Sequence, residues 1–176
     1  MTDPEPTATP TATPVVRPAR PGDEDALIEL VHSLAAYERE SDQVQASAQD
    51  LALALFGPDP GAWCHVAVEP ETGDLIGMAL WFRTFSTWTG RCGMHLEDLY
   101  VSPAARGRGT GRALLATLAA ECVARDWPRL EWAVLDWNAP AIGFYRAIGA
   151  VAMDGWTTNR VTGDALAALA ASAGGA

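Results

Sequence analysis

The sequence predicts a mixed α/β domain, and three observations support this. Three strand-like runs follow one another at Trp63–Glu69, Leu75–Phe85 and Arg91–Val101, separated by short turns, which favours an antiparallel meander. A long apolar pattern typical of a helix follows from about Gly109 to Arg125, and another strand-like run follows at Arg129–Leu135. Because a strand–helix–strand crossover returns the chain in the same direction, these last two strands should be parallel.

The segment before the meander carries the signals of one short strand and two helices. Val15–Arg17 is the strand, and Asp23 suits the N-cap of a helix that reaches about Arg39. Apolar side chains at helical spacing mark the buried face of this helix: Leu27, Leu30, Val31 and Leu34. Ser47 and Asp50 form a capping-box-like pair at the start of the second helix.

The segment after the crossover is predicted to hold a helix, two short strands and a last helix. Pro140 suits the first turn of a helix that ends at Gly149, since proline lacks an N–H that would be left unpaired there. Strands are expected at about Val151–Met153 and Trp156–Val161, and a helix at Asp164–Ala171.

The two ends of the chain differ in composition from the rest. Residues 1–14 are rich in Pro, Thr and Ala and lack apolar periodicity, which predicts a disordered tail. Residues 172–176 are predicted to form a flexible C-terminal tail. We interpret residues 15–171 as a single domain.

The composition excludes several classes of function. With 176 residues and 49% hydrophobic content, the chain can bury one sizeable core. Its net charge of −10 argues against a nucleic-acid binder, which needs a basic surface, and fits a cationic small-molecule substrate. All 12 basic residues are arginine, so this chain offers neither a Schiff-base lysine nor a Walker lysine.

The cysteines and the apolar runs bear on cellular location. Cys64, Cys92 and Cys122 are widely spaced and show no metal-ligand pattern, so we expect reduced thiols of a cytoplasmic protein, without disulfides or a metal. The N-terminus lacks the features of a secretory signal, and no apolar run approaches the ~20 residues that span a bilayer. We therefore expect no membrane partner.

A glycine-rich loop, Arg106–Arg112, lies between the third strand of the meander and the long helix. A loop that opens a helix in this way presents several backbone N–H groups to one point, which indicates an anion site, most simply a phosphate site. The acids Glu97 and Asp98 lie just upstream on the strand. A phosphate site beside carboxylates suggests that a phosphorylated cofactor is delivered to a reaction.

The loop pattern Arg106-x-x-Gly109-x-Gly111 resembles the pyrophosphate loop [QR]-x-x-G-x-[GA] of the GNAT superfamily of N-acetyltransferases. Four further segments, at 33–40, 85–101, 133–150 and Gly155-Trp156, resemble the diamine (spermidine/spermine) and thialysine N-acetyltransferases of that superfamily. The resemblance implies a mixed central sheet with an antiparallel N-terminal meander, a splayed parallel pair in the middle, and helices on both faces.

The resemblance also implies acetyl-CoA as the co-substrate, with no metal. Backbone amides of the loop would hold the pyrophosphate, and backbone around Leu99–Val101 would polarise the thioester carbonyl. The implied cofactor-binding residues are Leu99, Tyr100, Val101, Arg106, Gly107, Arg108, Gly109, Thr110, Gly111, Arg112 and Asn138.

The candidates for catalysis are a base and an acid. An alkylammonium has a pKa of about 10.4 and must lose a proton before it attacks a thioester, so Glu97 is the candidate to attract the cation and take its proton. His95 is an alternative base. Strand alternation would put Glu97 on one face with His95 and Leu99, and Asp98 on the other with Leu96 and Tyr100. By resemblance, Tyr145 is the acid that protonates the leaving thiolate.

The resemblance places five side chains at the amine: Tyr37, Glu38, Trp88, Glu97 and Asp98. Acids and aromatic rings suit an alkylammonium through charge and cation–π contact. The residues before Trp88 lack the acid that polyamine-preferring relatives carry there, which favours a shorter amine such as thialysine. The family further implies a homodimer, formed with the help of the C-terminal strands.

Two other functions remain open from the sequence. The same fold could acetylate a protein or antibiotic amine. It could also serve as a non-catalytic acyl-CoA sensor, although the presence of both Glu97 and Tyr145 argues against this.

Overall fold

Five strands and five α-helices are the main elements of residues 14–174, the part of the chain that the computed structural model describes. They are β1 Val15–Pro18, α1 Glu24–Glu38, α2 Ala48–Phe56, β2 Trp63–Val68, β3 Leu75–Ser86, β4 Arg91–Val101, α3 Thr110–Ala124, β5 Leu130–Trp132, α4 Ala139–Ala147 and α5 Gly163–Ala171. The disordered tail predicted for residues 1–14 lies outside the described residues except for Pro14, as do the last two residues of the predicted C-terminal tail. None of these helices within residues 14–174 is long and apolar enough to cross a bilayer.

The five strands form one mixed sheet in the order β1-β2-β3-β4-β5. The first four strands pair antiparallel and β5 pairs parallel to β4, which confirms the predicted meander and crossover. The register between β4 and β5 covers three residue pairs, from Met94–Leu130 to Leu96–Trp132. β5 is therefore shorter than the strand predicted at Arg129–Leu135, and β4 runs on past it to Val101.

The chain divides into two compact units, the first ending at Ala133 and the second beginning at Val134. In the first unit α1 and α2 cover one face of the sheet, and the core there contains Leu27, Leu30, Leu34, Leu51, Leu55, Cys64, Val66, Met78 and Tyr100. α3 covers the other face, because a Cβ built on Gly77, next to Met78 in β3, would lie 3.4 Å from Leu114 Cδ1. The expected helices on both faces are confirmed.

Asp23 precedes α1 as predicted, but its carboxylate does not cap the helix. The Arg17 guanidinium donates to both of its oxygens, at 2.6 and 2.9 Å, and the Arg20 N–H donates at 2.9 Å. This pairing with Arg17 lowers the pKa of Asp23. The acid therefore ties β1 to the start of α1. At α2, by contrast, Ser47 and Asp50 form the full capping box that the sequence predicts.

The second unit contains α4 and α5, and the two strands predicted at Val151–Met153 and Trp156–Val161 do not form. The apolar side chains of this segment are exposed, Val151 by 83% and Trp156 by 68%. A strand needs a neighbour for its backbone hydrogen bonds, and no strand is present among the described residues of this unit, 134–174. Local β-propensity alone was therefore an insufficient basis for the prediction.

Candidate active site

A β-bulge in β4 sets the direction of the candidate catalytic acids. Asp98 pairs with Leu80 of β3, whereas Leu96 pairs with Trp81, so Glu97 is an extra residue between two ladder positions. Since Leu80 and Trp81 point to opposite faces, Asp98 and Leu96 do too, so the prediction that these two share a face was wrong. Asp98 and Tyr100, which pair with Leu80 and Met78, do share one.

Two neighbouring acids act on Asp98 at this bulge. Asp98 is half-buried, and its burial, followed by the charges of Glu97 and Glu38, raises the pKa of its carboxyl to about 6. Glu38, at the end of α1, also has a raised pKa, mainly through burial and then through Glu40. The structure thus brings together three of the residues predicted to bind the amine, and their negative charges repel one another where a cation would be stabilised.

His95 lies beside the exposed acid of this group. Its Nε2 is 3.9 Å from Glu97 Oε2, and its ring stacks on Phe82 with centroids 4.9 Å apart. His95 pairs with Phe82, two residues along β3 from the partner of Asp98, so the histidine and Asp98 share a face of the sheet. The two candidate bases, Glu97 and His95, therefore lie next to each other in the middle of β4.

The glycine-rich loop has an open backbone that suits a phosphate group. Gly107 and Gly109 have φ of 75° and 82°, and a Cβ built on either would have no heavy atom within 4 Å. Gly109 N-caps α3, and the first helical bond there is donated by the Ala113 N–H to the Gly109 carbonyl. The amides of Thr110, Gly111 and Arg112 precede that bond, so the helix itself gives them no partner. These N–H groups are the ones that an anion would accept from.

Two of the three loop arginines, Arg106 and Arg108, bind groups within the protein through their side chains. Arg108 makes a bidentate pair with Glu69, at 2.7 and 3.1 Å, which raises the pKa of Arg108 and lowers that of Glu69. Arg106 Nε donates to the Val101 carbonyl at 3.0 Å, whereas Arg112 is exposed. Sequence reasoning missed Glu69, for which the only signal was an acid at the end of a strand.

Thr110 supports the loop from inside. It is 1% exposed, and its hydroxyl donates to the Ala105 carbonyl at 3.1 Å. Of the loop residues predicted to bind the cofactor, Thr110 therefore offers its backbone N–H and not its hydroxyl.

The three predicted residues Leu99, Tyr100 and Val101 lie where β4 extends beyond β5. The β4–β5 register ends at Leu96, so this stretch has no partner in β5. Tyr100 is 6% exposed and belongs to the core, while Leu99 and Val101 are half-buried. The splayed parallel pair expected for this fold is thus present.

Within the first unit, Trp88 lies far from the acid cluster of Glu38, Glu97 and Asp98. It lies in the turn between β3 and β4 and is 86% exposed. The strand from Arg91 to Glu97 spans six residues, or about 20 Å at the usual rise of a strand. Its predicted role at the amine remains untested.

The second unit contains the two remaining candidates, Asn138 and Tyr145. The Asn138 side-chain oxygen accepts from the Ala141 N–H at 3.3 Å, so this residue N-caps α4. Tyr145 is half-buried on α4, with its ring centroid 5.4 Å from that of Phe144. Their predicted roles, at the cofactor and at the leaving thiolate, stay predictions.

Among residues 14–174, no group of three or more His, Cys, Asp or Glu side chains is arranged to hold a metal ion.

The sequence matches the model of the acetyltransferase (GNAT) family over residues 27–150, which is well over half of the chain. The chain belongs to this family. The predicted resemblance is confirmed, and the protein is an N-acetyltransferase with the mixed sheet of its family.

Similar proteins of known sequence and structure agree with this assignment. The acetyltransferase is 35% identical to the thialysine N-epsilon-acetyltransferase of Sus scrofa, over 90% of this chain and 98% of that protein. It is 27% identical to the L-ornithine N5-acetyltransferase of Arabidopsis thaliana, over 94% and 95%. Among solved structures, an integron cassette protein of V. cholerae matches with a TM-score of 0.75 and 28% identity, over 90% and 98% of the two chains.

Proposed function

We propose that this acetyltransferase moves an acetyl group from acetyl-CoA to the primary amine of a small cationic substrate, by direct attack of the amine on the thioester. The substrate class is a thialysine-like amino acid or a diamine or polyamine. The observation that carries the proposal is the acid cluster at the β4 bulge, where burial and the charges of Glu97 and Glu38 act on Asp98. An alkylammonium relieves this repulsion. Relatives named for thialysine and ornithine support the same class.

The loop residues fit acetyl-CoA. Open space at Gly107 and Gly109 leaves room for phosphate oxygens against the backbone, and the amides of Thr110, Gly111 and Arg112 are the proposed donors. We assign the edge of β4 at Leu99–Val101 to the acyl end of the molecule. When bound, acetyl-CoA supplies the thioester carbonyl as the acetyl donor.

The residues of the chain supply the proton transfers. Glu97 attracts the ammonium and accepts its proton, directly or through water, while Asp98 and Glu38 hold the cation. Tyr145 donates a proton to the departing thiolate. The largest part of the acceleration comes from holding amine and thioester together.

A panel of amines, followed by release of free thiol from acetyl-CoA, tests this function. Thialysine, lysine, ornithine, putrescine, spermidine, an aminoglycoside and a peptide separate the substrate classes. Turnover of the short amines with kcat/KM at least tenfold above the rest supports the proposal. Turnover of only the aminoglycoside or the peptide would replace it with the alternative targets, and tight CoA binding without turnover would indicate a sensor.

Glu97→Gln and Tyr145→Phe test the proton transfers. We expect Glu97→Gln to lower kcat by about 10²-fold or more, the usual scale of general base catalysis. Tyr145→Phe keeps the ring beside Phe144 but removes the hydroxyl, so kcat should fall while KM for the amine stays within a few-fold. Steady-state kinetics measure both, and unchanged kcat in both variants would refute these roles.

We also propose a homodimer, as the resemblance implies. Val151 and Trp156 are apolar side chains that are more than half exposed, and a partner copy would bury such surface. Light scattering on a sizing column should give about twice the chain mass of 18.6 kDa. A mass of one chain across micromolar concentrations would contradict this proposal.

A further inference from the structure

The side chain of Arg106 points back into the first unit. Its guanidinium carbon lies 5.0 Å from the ring centroid of Tyr37 and 5.8 Å from that of Tyr100. Its Nε–H donates to the Val101 carbonyl at 3.0 Å. One arginine thus joins the first position of the glycine-rich loop, the end of β4 and the end of α1.

These three partners differ in how firmly they are held. Tyr100 is 6% exposed and Val101 lies on the same strand, so both are fixed by the sheet. Tyr37 is 36% exposed in the last turn of α1, and the helix ends at the next residue, Glu38, with Arg39 as its C-cap at a φ of 65°. Helix ends have few packing contacts and open easily. Of the three groups around Arg106, Tyr37 is the most exposed and the only one that is not held in the sheet.

The position of Tyr37 bears on the acid cluster. Glu38 follows it directly on α1, and the charge of Glu38 is one of the causes that raise the pKa of Asp98. A shift of the last turn of α1 would move Tyr37 and Glu38 together. Arg106, the first residue of the glycine-rich loop, can therefore influence where Tyr37 and Glu38 lie beside the proposed amine site.

We propose that Arg106 is a positioning residue for the amine, which holds Tyr37, and through it Glu38, against the carboxyl end of β4. This inference rests on the proposed function. It assigns to Arg106 a task on the amine side, in addition to any that its backbone has at the pyrophosphate. The interaction is a cation–π contact reinforced by a backbone hydrogen bond.

A double-mutant cycle on amine binding tests the proposal. The variants are Arg106→Gln, Tyr37→Leu and their combination. Glutamine is also allowed at this place in the family's loop pattern, so the loop keeps its form while the charge is lost. The dissociation constant of the best amine from the panel is measured by calorimetry on protein loaded with CoA, which binds without turnover. Arg112→Gln, the control, changes an exposed arginine of the same loop.

We expect each single variant to weaken amine binding about two- to fivefold or more, the scale of an exposed cation–π contact. The double variant should bind the amine no more weakly than the single variant with the lower affinity. Arg112→Gln should combine with Tyr37→Leu additively.

The outcomes separate this inference from the proposed function. If the wild type binds an amine but the Arg106–Tyr37 cycle is additive, or if Arg106→Gln weakens only CoA binding, the inference is overturned and the proposed function stands. If the CoA-loaded wild type binds none of the amines, both are overturned.

Discussion

Asp98 is the residue on which the environment of the site acts most strongly. It sits after the bulge of β4, is half-buried, and faces the charges of Glu97 and Glu38. Each of these factors disfavours the carboxylate form, so an isolated carboxyl there costs the protein stability near neutral pH. Such a cost at a site is the expected signature of a function, because a substrate cation would offset it.

The pH dependence of stability should reveal this cost. The folded-state pKa of Asp98, about 6, lies above its ordinary value of 3.8, so its favourable contribution is complete below about pH 4 and is lost as pH rises through 6. Asp98→Asn should therefore be more stable than the wild type by about 1–2 kcal/mol at pH 8, with a smaller difference at pH 4. Urea unfolding at both pH values measures this.

Glu97→Gln provides the matched comparison, because that side chain is 56% exposed and should have a smaller effect in the same direction. A stability difference for Asp98→Asn that is equal at pH 4 and pH 8 would contradict the assigned environment.

At the scale of elements, the sequence predicted most of the first unit. Apolar spacing identified α1 and its buried Leu27, Leu30 and Leu34, and the capping box identified the start of α2. These signals are local, since each depends on residues within one or two turns. The antiparallel meander was predicted equally well, because short turns between consecutive strands allow few arrangements other than antiparallel pairing.

The features that escaped prediction depend on distant partners. The bulge at Glu97 is a property of the register between β3 and β4, which strand alternation within β4 cannot reveal. The carboxylate of Asp23 binds Arg17 of β1 instead of the helix N-terminus, because a bidentate arginine is a stronger partner than one backbone amide. The side-chain contacts of Arg106 and Arg108 were invisible for the same reason.

Gly109→Ala tests the loop as an element. The φ of 82° at Gly109 costs an alanine about 1–2 kcal/mol, and relaxation of this strain would turn the first amides of α3 away from their common direction. We expect lower thermal stability and a KM for acetyl-CoA raised several-fold, from steady-state kinetics at saturating amine.

The chain offers a matched control for this variant. Gly73, in the turn between β2 and β3, has φ of 80° and equally open surroundings. Gly73→Ala should lose similar stability without changing the KM for acetyl-CoA. Equal KM values in the two variants would show that the loop backbone does not bind the cofactor.

At the scale of the whole molecule, charge is the property that bears on function. The net charge of −10 is spread over a chain whose acid cluster lies at the end of β4 and α1. An overall negative potential raises the rate at which cations arrive, and the proposed amine site at the cluster would then hold them. Both effects weaken when salt shortens the screening length from about 30 Å at 0.01 M to about 3 Å at 1 M.

Salt dependence should therefore distinguish substrates by charge. At saturating acetyl-CoA, kcat/KM for a dicationic amine should fall about tenfold between 0.02 and 0.5 M NaCl, and more steeply than for a monocationic amine. Initial rates at low amine concentration measure both slopes. Identical slopes for the two amines would indicate that the acid cluster does not contribute to binding.

The early end of β5 has a consequence for the protein without its cofactor. Past Leu96, the side of β4 that faces away from β3 has no partner in β5, so the backbone of Leu99 and the Val101 N–H form an unpaired edge there, while the Val101 carbonyl accepts from Arg106. Edges of this kind exchange amide hydrogens quickly and invite another strand to add to them. A bound molecule lying along β4 would act as a substitute strand. Acetyl-CoA should then slow amide exchange at Leu99–Val101. It should also suppress self-association on storage, because a bound cofactor would cover the unpaired part of β4 to which another strand could add.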